Sequence, residues 1–309
     1  MFDVPRRARL LAGAVLPLAL LTGCGPSAAT QGGAGDSGEL VFASIPSEES
    51  TSLEQDFEPL IRMLEDRTGK QIRMEKATDY AAVIEGQRSG KIDIAMYGPL
   101  SYVVARNNGV SITPVGAQTE GKGKPPGYQS FGVVPEDSPI RSLADLKGGT
   151  VCFVDPNSTS GYLYPKAGLA EAGVNADRDV QAVMAGGHDA SALGVASGQC
   201  DAGFATDTMI NELLPAKGAI KPGDLRVVWK SEMIPGSPAA ISDDLDPAVK
   251  QALTDGFRDA NADYLRQHGY CEGECQISGY WGFTPVDDAT FNSVRDVCAV
   301  TRDEQCTGG

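Results

Sequence analysis

Histidine, tryptophan and basic side chains are scarce in this sequence. Its 309 residues include two His and two Trp, and 26 Lys and Arg stand against 41 Asp and Glu, which gives a formal net charge of −15. Two isolated histidines do not provide the clustered ligands of a metal-dependent hydrolase. A nucleic-acid binder would normally carry the opposite charge. We therefore expect no metal, no cofactor and no nucleic-acid partner.

Long apolar runs are also missing, except near the N-terminus, so no later segment is expected to span a membrane. Three arginines precede an apolar run at residues 10–21, which has the length of a signal-peptide core. The run ends in Leu21-Thr22-Gly23-Cys24, which resembles the bacterial lipobox. This order predicts a lipoprotein signal peptide at residues 1–23 and a flexible tether at residues 24–38. Cys24 would anchor the protein by lipid to the outside of the bacterial cell membrane; an ordinary secreted protein is the alternative.

Cysteine is limited to seven residues, and six remain when Cys24 is set aside. An even number outside the cytoplasm indicates three disulfides. Cys152 lies in a predicted strand and Cys200 directly precedes a neighbouring one, so we expect them to pair. The last four allow three connectivities, of which we favour Cys271–Cys275 with Cys298–Cys306. A zinc site built from these four is the alternative, although the spacing of the first two is loose for it.

Apolar spacing alternates between strand and helix from residue 39 to about residue 230. This alternation predicts an α/β fold in which mostly parallel sheets are flanked by helices. The strands near residues 127–134 and 225–230 are predicted to cross between two lobes and to form a hinge. We expect lobe 1 at residues 39–130 and 231–309, and lobe 2 at residues 131–230.

Polar side chains that could bind a ligand are most concentrated in the segment Asp155-Pro156-Asn157-Ser158-Thr159-Ser160-Gly161. An apolar strand leads into a turn, three consecutive hydroxyls and a segment that can be helical. Free backbone N–H groups and the helix dipole at such a start favour an anion. Ordinary N-capping by one hydroxyl accounts for the same pattern, so spacing alone leaves both interpretations open.

This segment resembles the binding loop of the phosphate/phosphite/phosphonate periplasmic-binding family. Further matches follow in order over about residues 39–300: Ile45-Pro46-Ser47, Asp79 to Ile84, Asp93 to Pro99, Gly127 to Ser130, Gly186 to Asp189, Trp229 to Ser231, and Ile234 to Gly236. The resemblance implies the two-lobed type II periplasmic-binding fold. It also implies a receptor for phosphate, phosphite or a small phosphonate that serves an ABC permease and its ATPase. We expect a monomer.

The same resemblance implies which side chains bind the ligand. Ser158, Thr159 and Ser160 would hold the phosphoryl oxygens, and Tyr80 and Tyr128 would reach in from the first lobe and the hinge. His188 would lie beside the hydroxyls, and a protonated imidazole could donate two hydrogen bonds to a dianion. A purely structural role is the alternative for this histidine.

Ser237 marks a departure from part of the family. Members that bind an aminoalkylphosphonate carry an aspartate in the Ile-Pro-Gly-Asp-Pro turn, whereas this chain has Ile234-Pro235-Gly236-Ser237-Pro238. A buried ammonium would then have no partner, unless Asp207 supplied one. The substitution favours phosphate, phosphite or methylphosphonate and places Ser237 beside the ligand.

Other classes of protein remain to be weighed. Ser160, His188 and an aspartate could be imagined as a hydrolytic triad, but the Gly-x-Ser-x-Gly elbow is missing, so we expect a binding protein and not an enzyme. A receptor for another small oxyanion, such as a sulfonate, is the alternative ligand class. The ligand-sensing lobe of a signalling system is the alternative role.

Overall fold

The computed structural model describes residues 38–47 and 50–307, and the side chains of residues 50–52 are not described. The signal peptide, Cys24 and all but the last residue of the predicted tether lie outside this part of the chain. Within it, every helix is too short or too polar to cross a membrane.

The strands of the described chain form two large sheets and a short ribbon. In chain order they are β1 (Glu39–Ser44), β2 (Gln71–Lys76), β3 (Ile94–Met96), β4 (Ile112–Thr119), β5 (Gly127–Tyr128), β6 (Ser130–Pro135), β7 (Thr150–Phe153), β8 (Gln181–Met184), β9 (Ala202–Thr206), β10 (Leu225–Lys230), β11 (Ile234–Pro235), β12 (Pro238–Ser242) and β13 (Gly282–Thr284). The six-stranded sheet has the order β13-β4-β12-β3-β1-β2, and the five-stranded sheet has the order β10-β6-β9-β7-β8.

Helices flank both sheets. They are α1 (Ser50–Thr68), α2 (Tyr80–Arg88), α3 (Pro99–Asn107), α4 (Tyr164–Glu171), α5 (His188–Ala196), α6 (Leu214–Ala216), α7 (Pro247–Asp259), α8 (Ala262–Gln267) and α9 (Asn292–Thr301). Short 3₁₀ segments occupy residues 143–146, 288–291 and 304–307, and π-helical turns occupy residues 159–163 and 209–213. The α/β class expected from the sequence is confirmed.

The mostly parallel sheets expected from the sequence also contain antiparallel pairs. β1 pairs in parallel with β2 and β3, and β7 with β8 and β9. β4, β12 and β13 pair antiparallel in one sheet, as do β6 and β10 in the other. Most of the antiparallel strands adjoin the passages between the sheets, where direct connections replace the helical crossover that a parallel pair needs. Four of the six strands in the larger sheet and four of the five in the smaller one still run in the same direction, so both sheets are mixed with a parallel majority.

Local sequence signals explain the ends of the first helices. Leu53, Phe57, Leu60 and Leu64 are buried on one face of α1 at the spacing of an amphipathic helix. Gly69 follows with a φ of +66°, a left-handed conformation in which glycine has no side-chain clash. Asp79 caps α2, because its carboxylate accepts the Ala82 N–H at 2.7 Å.

The ribbon of β5 and β11 stands where the chain passes between the sheets. β5 follows β4 and precedes β6, while β11 follows β10 and precedes β12. Next to the ribbon, the Ser231 hydroxyl accepts the Ser130 N–H at 2.9 Å, and the Gln129 amide donates to the Ser231 carbonyl at 2.6 Å. The two passages are thus bonded to each other.

Three disulfides hold the described chain. They join Cys152 to Cys200, Cys271 to Cys275, and Cys298 to Cys306, which are the pairs expected from the sequence. The first links β7 to the segment before β9, beneath the hydroxyl segment. The other two take up the four sulfurs that the zinc alternative required, so that alternative is wrong.

Candidate functional site

A small cavity lies between the two sheets, at the carboxyl ends of β1, β3, β7 and β9, where α/β sheets place their ligands. Its volume is about 60 Å³, so only a compact ligand would fit inside it. All seven side chains expected to contact the ligand line it: Tyr80, Tyr128, Ser158, Thr159, Ser160, His188 and Ser237. The structure therefore brings together residues that are up to 157 positions apart in the sequence.

The segment Asp155–Gly161, named the hydroxyl loop below, is shaped by its own hydrogen bonds. The Asp155 carboxylate accepts the Asn157 N–H at 2.7 Å, and the Asp155 carbonyl accepts the Ser158 N–H at 2.8 Å. Ser158 then caps the following π turn by accepting the Gly161 N–H at 3.0 Å. A Cβ on Gly161 would lie 2.3 Å from Val154, so only glycine allows this close return of the chain.

The three hydroxyls of the loop are oriented as donors. Ser158 Oγ accepts the Gly161 N–H, and Thr159 Oγ1 accepts the Leu100 N–H across the cavity at 2.8 Å. Both oxygens thus have an N–H as a neighbour, which leaves their protons for another acceptor. Ser160 Oγ is buried and has no hydrogen-bond partner in the described structure. Such a trio, at the start of a helical segment, suits an anion better than a cation.

Tyr80 and Tyr128 enter from the opposite side, one at the start of α2 and one in the ribbon. Both are buried, and burial raises the pKa of each phenol even though loop hydroxyls lie beside them, Ser158 at Tyr80 and Ser160 at Tyr128. The Tyr80 hydroxyl lies near Ser158 without the geometry of a hydrogen bond. The two phenols therefore keep their protons at neutral pH and can donate them.

His188 is the first residue of α5, directly after Gly187. Its backbone N–H donates to the Ser47 carbonyl at 2.8 Å, which ties the five-stranded side to the loop after β1. Burial lowers the pKa of the imidazole to about 4, and Nδ1 has no partner in the described chain. A buried imidazole without a countercharge is neutral, so the ring of the ligand-free protein has one N–H to donate and not two.

The cavity wall is electrically neutral within the described residues: none of its members is Asp, Glu, Lys or Arg. Asp155 and Asp207 lie nearby, but neither lines the cavity. Asp207 instead accepts the Thr208 N–H at 3.0 Å, so the structure does not place it as the partner of a ligand ammonium. An anion would be held here by neutral hydrogen-bonding groups and backbone dipoles, without a charged side chain in the wall.

Several cavity residues were not singled out from the sequence. Tyr97 follows β3, is fully buried, and its hydroxyl has no partner in the described structure; it stands inside the Asp93–Pro99 motif, which was the available signal. Thr208, Ser278 and Tyr280 also line the cavity. The last two belong to the cysteine-rich tail, where no motif pointed to a binding role.

Known proteins resemble this chain in sequence and fold. The model of the family of periplasmic substrate-binding proteins of phosphonate ABC transporters matches residues 42–291. The phosphate-import protein PhnD of Mycolicibacterium smegmatis is 48% identical over 281 residues, 87% of this chain and 88% of that protein. The phosphonates-binding periplasmic protein of Escherichia coli is 36% identical over 225 residues, 71% of this chain and 65% of that protein. A binding protein of a Pseudomonas aeruginosa phosphonate transporter has a TM-score of 0.75 at 29% identity, covering 85% of this chain and 86% of that one.

Proposed function

The chain belongs to the family of periplasmic substrate-binding proteins of phosphonate ABC transporters, and from this premise we propose that its ligand is phosphate, phosphite or methylphosphonate. The protein captures the anion in the cavity between its sheets and delivers it to a membrane permease driven by an ATPase. The hydroxyl loop carries the proposal, since it aims three hydroxyl groups at one small cavity.

The size and neutrality of the cavity support this choice of ligand. Phosphate and methylphosphonate each have only five heavy atoms, a compact size that suits a cavity of about 60 Å³. An aminoethyl group is longer and carries a charge, and no carboxylate among the described residues lines the wall to pair with it. The relative with 48% identity is named for phosphate import, which agrees with a ligand that lacks an amine.

The neutral imidazole of His188 supports a phosphorus oxyanion over a sulfonate. One of its two ring nitrogens accepts a hydrogen bond. Hydrogen phosphate has a proton to donate to that nitrogen, whereas sulfate and sulfonates have none at neutral pH. The buried position of the ring, with 4% of its surface exposed, leaves solvent little access to compensate a missing bond.

The cellular setting completes the proposal. Cys24 becomes the lipid-bearing first residue after signal cleavage, and residues 24–38 tether the binding body to the membrane as a monomer. The folded part acts as a receptor and has no catalytic step, because the hydroxyls and imidazole are arranged to hold an anion. Mass spectrometry of the membrane fraction would identify acyl chains on Cys24, and a Cys24→Ser protein that still carries acyl chains would overturn the anchoring.

Calorimetric titration of the purified protein tests the ligand class. The five ligands are phosphate, phosphite, methylphosphonate, aminoethylphosphonate and sulfate. We expect the first three to bind most tightly and to raise the melting temperature, since a ligand that binds only the folded state stabilises it. Preference for sulfate, or no binding by the first three, would refute the proposal.

A further inference from the structure

A tight turn at residues 277–280 in the cysteine-rich tail forms part of the cavity. The Ile277 N–H donates to the Tyr280 carbonyl at 2.8 Å, and the Tyr280 N–H donates to the Ile277 carbonyl at 3.1 Å. Its two central residues, Ser278 and Gly279, have φ values of +49° and +78°, as in a type I′ turn. A serine rarely adopts this conformation, and such backbone is found where the surroundings fix it.

The turn is fixed from its own side of the cleft. Ile277 is fully buried, and the Gln118 amide donates to its carbonyl at 3.5 Å. The Cys271–Cys275 disulfide closes the chain just before the turn. Tyr280 leads directly to β13, which pairs with β4 in the six-stranded sheet. The side chains of the turn therefore cannot move away from the cavity without disturbing that sheet or the disulfide loop.

The turn also meets the five-stranded side. A Cβ on Gly279 would lie 2.7 Å from Thr208 Cγ2 and 3.2 Å from Leu213 Cδ2, so the two sides are in close contact here. The Thr208 hydroxyl lies beside the Tyr280 phenol, where it opposes the rise in the phenol pKa that burial causes. Thr208 follows β9. Tyr280 and Thr208 thus meet across the cleft.

The pair shares one cavity with the hydroxyl loop. Its lining includes Thr159, Ser160, Tyr128, Thr208 and Tyr280. Thr159 and Ser160 lie beside the Tyr128 phenol, and that phenol is in turn close enough to Tyr280 to raise its pKa electrostatically. A substituent that extends from a phosphorus headgroup held by the loop toward the turn would therefore meet Tyr280 and Thr208.

We propose that the turn at residues 277–280 sets ligand length, with Tyr280 and Thr208 as the specificity-determining pair. This inference rests on the proposed binding of a phosphorus oxyanion by the hydroxyl loop. A hydrogen, hydroxyl or methyl substituent fits between the loop and the turn. A chain of two or more heavy atoms must displace the Tyr280 ring from Thr208, which the anchored turn resists.

Alkylphosphonates without an amine differ in the length of their substituent but not in its charge, so they test the effect of ligand length by itself. The wild-type protein and Tyr280→Ala are titrated calorimetrically with phosphate, methylphosphonate and propylphosphonate. We expect wild type to bind propylphosphonate at least about tenfold more weakly than methylphosphonate. Tyr280→Ala opens the end of the cavity, so this ratio falls by about tenfold or reverses. Tyr280→Leu, which keeps apolar volume in the wall, shifts the ratio in the same direction and replaces the alanine variant if that fails to fold.

Tyr270→Ala is the matched control. It removes a tyrosine from the same region of the tail, whose phenol donates to Asp66 at 2.8 Å and does not line the cavity, so the ratio should stay at the wild-type value. An unchanged ratio in both Tyr280 variants would overturn the role of the turn. Failure of wild type to bind either phosphate or methylphosphonate would instead overturn the proposed function.

Discussion

Lys166 Nζ lies 2.8 Å from Asp303 Oδ2, and this ion pair joins the two sides of the molecule away from the cavity. Lys166 stands on α4, which packs with the five-stranded sheet, and Asp303 precedes the 3₁₀ segment at residues 304–307, where the Cys306 carbonyl accepts the amide of Asn107 on α3 at 3.0 Å. The side chains are 17% and 4% exposed. The Cys298–Cys306 disulfide closes the segment that holds Asp303. The pair is thus a buried link between the halves that enclose the ligand site.

Removal of one partner should destabilise the fold. Lys166→Met leaves the Asp303 carboxylate buried without its cation, and we expect the free energy of unfolding to fall by about 3 kcal/mol. Asp177→Asn is the control, because Asp177 also contacts Lys166, at 3.0 Å, but is 57% exposed; its loss should cost less than about 1 kcal/mol. Urea unfolding of both variants measures the difference, and equal costs would contradict the buried link.

Ser160→Ala should separate binding from stability. Ser160 Oγ has no partner in the described protein, so its removal costs the ligand-free fold little. A hydrogen bond to a charged ligand contributes about 1.5–3 kcal/mol, and we therefore expect phosphate affinity to fall at least about tenfold with an unchanged melting temperature. Ser197→Ala, at the end of α5 and outside the cavity, should change neither. Wild-type affinity in Ser160→Ala would remove this hydroxyl from the site.

His188 should make the ligand-free protein sensitive to mild acid. The imidazole pKa is about 4 in the fold against an ordinary value of 6.5, so the unfolded state binds more protons between these values. Stability from this group is full above pH 6.5 and is lost as pH falls towards 4. The loss between pH 7 and pH 5 is about 2 kcal/mol. His188→Gln should lose correspondingly less over that range in thermal unfolding; equal losses would mean that the ring is not buried neutral.

Ser237→Asp should change the ligand preference. The residue lines the cavity, and a carboxylate there would pair with a ligand ammonium. We expect wild type to bind aminoethylphosphonate at least about tenfold, or 1.4 kcal/mol, more weakly than methylphosphonate, and the variant to narrow or reverse this gap. Ser237→Asn supplies a neutral control of similar size. A wild-type preference for the amine would show that another acid reaches the ligand.

The hydroxyl loop could be predicted from the sequence because the residues that define it are adjacent in the chain. The strand before it, the turn at Asp155 and Pro156, and three adjacent hydroxyls all lie within one short segment. Strands such as β10, found at the expected residues 225–230, were readable for the same reason. The spacing of residue types within a short segment predicts the backbone conformation of that segment. These features therefore do not depend on contacts with the rest of the chain.

The pKa of His188 and the roles of Ser278 and Tyr280 were not readable. Nothing near His188 in the sequence shows that the loop after β1 covers its backbone or that the ring loses solvent. The turn at residues 277–280 reaches the cavity only because β13 pairs with β4, more than 150 positions earlier in the chain. The antiparallel pairs of β12 and β13 were not readable either, because pairing between distant segments leaves no periodic pattern in the sequence.

The strand order also sets when a growing chain can hold its ligand. All strands of the five-stranded sheet lie between Ser130 and Lys230, whereas β12 must insert between β3 and β4 to complete the other sheet. Synthesis delivers the N-terminal side first, so β3 and β4 wait for a partner that emerges more than 110 residues after them. Ser237 and Tyr280 arrive later than the hydroxyl loop. A chain that is truncated or still emerging thus carries the hydroxyl loop, Tyr80 and Tyr128 without the part of the wall that Ser237 and Tyr280 form, and the cavity is complete only when the last third of the protein has been made.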